Sequence, residues 1–246
     1  MKRINILMAL LICAYSLVGC RKEANIGTPN DTIINTTDSP YLSVINYELT
    51  SPIPGPGSLV HWNSGYISTT GLIFNATHKV GNLLRRDRYG TAIGQVVTLF
   101  HTTMLGSLKV PGLQCDHASF TLRLGSLKSN YALFLSGVYN TNVAPLRIIP
   151  VQVIINDPVE LNTVWLNDVV INKTSYTAVI EFNLDKITNG ITNNMINNAA
   201  ITNGTIFITS TSNQTLYGII VNNLQDNNMN VGFWSPLFNI TDFPVK

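Results

Sequence analysis

Cys115, Asp116 and His117 are the tightest cluster of reactive side-chain types in the chain. On an extended backbone, Cys and His two positions apart share a face and can both reach one ligand. A closed metal site takes about four ligands, and His61, His78 and His101 stand at no ligand spacing to this cluster. A Cys–His nucleophile needs a hydrogen-bond geometry that near neighbours on an extended chain rarely reach. The cluster therefore reads as a loop after Pro111-Gly112 with a half-exposed thiol. The chain calls for no metal and no cofactor. Paired carboxylates would suggest a glycosidase, but the acids are scattered. Asp157 and Glu160 flank Pro158 as turn residues, Asp168 interrupts a strand, and Glu181 lies on a strand's polar side. There is no Gly-x-Ser-x-Gly elbow, phosphate loop, dinucleotide fingerprint or calcium-loop spacing. Catalytic residues cannot be nominated, so a hydrolase is the weakest of the readings.

Binding chemistry has better candidates. Tyr41, Trp62, Tyr66, Trp165 and Trp234 could stack on a sugar or fill a core. Trp62 and Tyr66 bracket a turn and are the pair expected to be exposed. Arg85, Arg86 and Arg88, beside Tyr89, suit carboxylate or phosphate groups on a partner. They fall in Gly81–Gly90, which reads as an exposed loop. Pro52–Gly65, rich in Pro and Gly, reads as a stiff loop that loses little entropy on binding. Both are expected to serve one end of the fold.

Composition limits the partner. Hydrophobic residues make up 45% of the 246 residues and charged residues 11%, with 29 Asn and 25 Thr filling the difference. The formal net charge is only +2. Nucleic acid is excluded as a partner, because it requires a basic face.

The N-terminus is the most informative stretch. Lys2 and Arg3 precede an apolar run of 15 residues, Ile4 to Val18, too short to span a bilayer as a helix. The run ends in Leu17-Val18-Gly19-Cys20, which closely resembles the lipobox of bacterial lipoproteins. The resemblance implies a signal peptide over residues 1–19, lipidation of Cys20, and cleavage that makes Cys20 the first mature residue. Removing residues 1–19 takes Lys2 and Arg3 and no acid, so the 15 basic side chains fall to 13 and match the 13 acidic ones. Two or more acyl chains on Cys20 anchor stably to a membrane. Arg21 is not the Asp that resembles an inner-membrane retention signal, so the outer membrane is expected. Cys20-Arg21-Lys22-Glu23 partly resembles the surface-export signal of Bacteroidota lipoproteins, which places surface exposure ahead of a periplasmic position. Cys115 is then the sole remaining thiol, and no intramolecular disulfide is expected.

The elements that must position these residues begin after a tether. Residues 20–40 have linker composition. Within them Asp31-Thr32-Ile33 resembles the motif that Bacteroidota O-glycosylate, which makes Thr32 a candidate. From Tyr41 onward, short runs rich in Val, Ile, Thr, Tyr and Phe alternate with Gly, Pro and Asn. Strands are expected at 41–49, 66–75, 95–100, 119–124, 131–139, 148–155, 164–171, 176–184, 205–209 and 216–222. Apolar residues at Ile187, Ile191, Met195, Ile196 and Ala199 fit a helix face. The expected fold is all-β: an antiparallel β-sandwich with one or two short helical turns, over residues 41–246, as one sandwich or two small ones.

A wider resemblance rests on Ser64-Gly65-Tyr66-Ile67, Ile73-Phe74-Asn75-Ala76, Leu135-Ser136-Gly137-Val138-Tyr139, Pro150-Val151, Asn213 and Leu216-Tyr217. Together these resemble Bacteroidota lipoproteins with an Ig-like or transthyretin-like sandwich. The resemblance implies fold and setting and carries no activity. The first functional reading is a non-enzymatic, membrane-anchored module that binds a protein or glycan partner. The alternative is a fimbria-type structural subunit, in which a cut at Arg85, Arg86 or Arg88 would release a terminal strand.

Overall fold

Apolar and polar residues alternate along most of the chain, so each strand offers one face to a core. The computed structural model describes residues 42–234, apart from 56–57, 81–82, 129, 143, 172–174 and 227–228. Cys20, Thr32, Tyr41 and the segments expected to be a signal peptide and a tether lie outside the described residues.

Four strands form the smaller sheet: β1 (Leu42–Thr50), β4 (Thr103–Pro111), β10 (Ser175–Phe182) and β13 (Met229–Trp234), in the order β13-β10-β1-β4. The larger sheet holds β2 (His61–Val80), β3 (Leu83–Thr98), β5 (Leu113–Leu124), β6 (Leu133–Asn140), β7 (Ile148–Ile155), β8 (Val159–Asn162), β9 (Leu166–Ile171), β11 (Ile201–Thr202) and β12 (Thr205–Ile208). Its path is β11-β12-β7-β6-β2-β5-β8, with β3 on β2 and β9 on β5.

Most pairs are antiparallel, as expected, but β1–β10 and β7–β12 are parallel. Both parallel pairs join strands far apart in sequence, where a long crossover is available.

β2 organises the larger sheet. Its first part pairs with β6 and its later part with β5, across a register shift between Thr69 and Gly71. β3 runs along its other side from Tyr66–Thr98 to Val80–Leu83.

The two sheets share a core. Tyr47 meets Phe120 edge-on at 5.4 Å, Phe74 contacts Phe120 at 5.2 Å, and Phe233 lies between Phe120 and Tyr176. Tyr176, Ala178, Ile180, Phe182 and Leu184 are all buried, as their alternation predicts. Phe120, Leu122 and Leu124 likewise face inward together.

Helical segments complete the core. A 3₁₀ turn at Lys186–Thr188 and the helix α1 (Asn193–Asn197) fill the segment expected to be helical, burying Ile187 and Ile196. Thr192 caps α1 by accepting from the Met195 N–H. The strand expected at 216–222 is instead part of α2 (Gln214–Gln225). Leu216, Ile220 and Leu224 are its buried stripe, spaced four apart. The β-branched run Ile219-Ile220-Val221 favours a strand locally, but tertiary packing against β8 and β12 selects the helix. Asn213, left-handed at φ 52°, ties the helix start to Ala200 and to the Phe207 carbonyl.

Four strands were not expected, among them the two-residue β11 beside β12. β4 is interrupted by Gly106, at φ 135°, where the β1–β4 register shifts. β8 follows Pro158 directly, and β13 follows an Asn-rich stretch.

Candidate functional site

The two loops expected to act together lie at opposite ends of the fold. Residues 51–60 precede β2 and the Leu83 turn follows it, so the 20 residues of β2 separate them. At a rise of about 3.3 Å per residue that is roughly 60 Å of strand.

Trp62 is not an exposed stacking residue: it is 5% exposed and belongs to the core. It pairs with Gly137 on β6, next to a register shift between Trp62 and Ser64. That irregularity sets the inward orientation of Trp62, and nothing in the neighbouring sequence marks it. Trp165 is 48% exposed, on the short connection between β8 and β9. The side chain of Trp234 lies outside the described residues.

The arginine cluster also divides. Arg85, Arg86 and Arg88 lie in β3 rather than in a loop, paired with His78, Thr77 and Asn75 of β2. The two-residue period puts Arg85 on one face and Arg86 and Arg88 on the other. Arg85 donates to Asp87 at 3.0 Å on its own face. Arg88 approaches Glu160 of β8 at 3.8 Å, and Arg123 donates to the same carboxylate at 2.7 Å. Glu160 is therefore a strand residue joining two arginines rather than a turn acid. A cut at any of these three arginines would divide a paired hairpin; it would not release a terminal strand.

Cys115 lies inside β5, not in a loop, and is 1% exposed. Its thiol donates to the Val169 carbonyl at 3.4 Å. His117, on the same strand, meets the Asn167 amide oxygen at 2.8 Å. Among the described residues, no three His, Cys, Asp or Glu gather to hold a metal ion. Burial, with the Asp116 charge adding, pushes the thiol from its ordinary 9.0 up to about 11. Cys115 should therefore resist alkylation at pH 8 in the folded protein and react promptly in denaturant. Rapid labelling of the native state would contradict this burial. Because the folded thiol titrates above the unfolded one, its contribution is complete below pH 9 and disappears as pH rises through about 11. Cys115→Ala should remove a stability loss of order 2 kcal/mol over that range.

The outer face of the larger sheet carries a strip of stacked aromatic rings. Tyr66, Phe134 and Ile154 stand side by side on β2, β6 and β7. The Phe134 ring stacks on Tyr66 at 5.5 Å and 26°, and on Tyr131 at 6.4 Å and 30°. Tyr131 is 36% exposed, and its backbone N–H donates to the Tyr66 hydroxyl at 3.4 Å.

The next row on the same face is polar: Ser64, Ser136 and Gln152 on the same three strands. An apolar ring strip beside a row of hydroxyl and amide groups matches a sugar, which has apolar C–H faces and a hydroxyl rim.

Of the nominated residues whose side chains are described, Tyr66 alone joins this site. Phe134 is not among the sequence candidates, although alternation in its own strand sets it opposite Leu133 and Leu135. Farther along the face, Asn75 donates to Ser119 and Thr121, and Thr121 donates to Asn162. These bonds, with the Arg88–Glu160–Arg123 group, make that end polar and cross-linked between strands. Comparison with protein-family models, curated proteins and solved structures finds no match.

Proposed function

We propose that the chain is an outer-membrane lipoprotein, acylated at Cys20, whose sandwich binds a glycan on the outer face of the larger sheet without catalytic turnover. The lipobox and short apolar run support the anchor, and the Arg21-Lys22-Glu23 sequence favours the cell surface. The stacked Tyr66–Phe134–Tyr131 strip carries the binding reading. A rigid sheet presents it, so little entropy is lost on binding, and tyrosines offer contact area with few torsions to freeze. Polar groups beside the strip supply donors and acceptors for sugar hydroxyls.

A glycan array probed with the purified protein tests this directly. Tyr131→Ala and Tyr66→Ala should each weaken the best glycan about tenfold, a loss of about 1.4 kcal/mol. The melting temperature of Tyr131→Ala should stay within a few degrees of wild type, because exposed changes cost little. Unchanged glycan affinity in both variants would remove the strip from the proposal. The anchor is tested separately: mass spectrometry of the membrane-extracted protein should find Cys20 N-terminal and acylated. An unmodified Cys20 would refute it.

A further inference from the structure

The β2–β3 hairpin ends in an exposed apolar pair surrounded by cations. Leu83 is 75% exposed and Leu84 is 56% exposed, among the most exposed large hydrophobic residues described. Lys79, Arg85 and Arg86 are exposed on the same last rungs. β2 pairs with β5 only as far as Thr77–His117, whereas the hairpin continues through His78–Arg85, Lys79–Leu84 and Val80–Leu83. These rungs have no strand on their other side among the described residues, so the end of the hairpin stands apart from the core. Of the acids at this end, Asp87 is held by Arg85, Asp116 is half-buried, and Asp168 lies on the edge strand β9.

Register places the start of the domain at this same end. Leu42 of β1 pairs with Pro111, the last residue of β4, and β5 starts two residues later at Leu113. Three rungs beyond Thr77–His117, the hairpin end is level with the start of β5. Leu42, the first described residue, therefore lies at the end of the domain that carries the Leu83–Leu84 tip. The opposite end carries the 51–60 and 141–147 connections.

We propose that the Leu83–Leu84 tip seats on the anionic phospholipid surface of the membrane that holds the lipid anchor, and so sets how the sandwich stands on it. The inference rests on the lipoprotein reading for the identity of that membrane. Leucines enter the headgroup–acyl boundary, while Lys79, Arg85 and Arg86 meet lipid phosphates. A tip contact leaves the outer sheet face, with Tyr66 and Tyr131, clear of the bilayer.

The test uses the membrane-extracted protein with a single added cysteine, Leu84→Cys, carrying an environment-sensitive fluorophore. Leu146→Cys, at an exposed position on the opposite end, is the control. Vesicles contain phosphatidylethanolamine and phosphatidylglycerol, with a nitroxide quencher on the acyl chains. The position-84 label should shift to the blue and be quenched several-fold more than the position-146 label. Lys79→Glu with Arg86→Glu should reduce that quenching, and added salt should do the same. Equal quenching at the two positions would overturn the proposal. So would a concentration-dependent blue shift in detergent without vesicles, which would assign the tip to a second copy of the chain. The protein's mass reports the anchor independently. If acyl chains are absent, quenching by added vesicles still decides the tip, so the two readings fail separately.

Discussion

Replacing Trp62 by Ala should lower the melting temperature by roughly 10 °C or more. Trp62 is 5% exposed and packs in the core shared by the two sheets. Removing a buried indole leaves a cavity that a close-packed interior fills only in part, at a cost of about 3–5 kcal/mol. In a domain of this size each kcal/mol lowers the melting temperature by about 2–4 °C. Trp62→Phe should recover part of the loss, since it restores most of the apolar volume. Differential scanning calorimetry decides the matter, and a shift below about 3 °C for Trp62→Ala would place the ring outside the core. Glycan binding measured at a temperature where the variant remains folded should be unchanged, because Trp62 faces away from the Tyr66–Phe134–Tyr131 strip.

The second large effect is expected across the same rung, at Gly137. A Cβ on this glycine would collide with the His61 carbonyl oxygen and lie 2.9 Å from the Trp62 Cα. Both contacts are backbone atoms of β2, the central strand, so neither can move without disturbing the ladder. Glycine is needed here for close approach of two chains, not for an unusual dihedral angle. Gly137→Ala should cost about 3 kcal/mol by overpacking. Gly94→Ala is the control: Gly94 lies on β3 with nothing within 4 Å of the added carbon, and that change should be close to neutral. Denaturant unfolding of both variants measures the contrast. Equal stability would mean that β2 and β6 are not packed as closely as described.

Together these substitutions explain why the site is on the sheet face and not at Trp62. The chain crosses over Gly137 and then shifts register between Trp62 and Ser64. Trp62 is thereby turned into the core, while Ser64 and Tyr66 remain on the outer face with Ser136 and Phe134. In the sequence, Trp62 and Tyr66 read as a pair bracketing a turn. A strand with an irregularity separates them onto opposite sides.

The arginines give a parallel case. Gly and Asn near a charged stretch suggest a loop, yet only two residues separate β2 from β3. Two such residues between alternating segments also signal a hairpin, and that signal is present at Gly81-Asn82. Once Leu83–Thr98 is a strand, its period of two distributes Arg85 and Arg88 to different faces. Their partners, Asp87 and Glu160, then follow from cross-strand and same-face neighbours.

The amino-acid sequence by itself determined the all-β class, the inward faces of β5 and β10, and the short helical turns around Ile187 and Ile196. Each of these depends on local periodicity, which the backbone geometry of strand or helix imposes directly. The lipobox resemblance at Cys20 and the linker composition of residues 20–40 are likewise local features of the sequence. Only the tertiary structure decided that Trp62 is buried, that residues 216–222 are helical, and that Cys115 is inside a strand. It also decided that the 51–60 loop and the Leu83–Leu84 tip lie at opposite ends. These outcomes depend on which distant strand lies alongside and in what register. A register shift of one residue reverses every side chain after it, and no local pattern records where the partner strand places that shift.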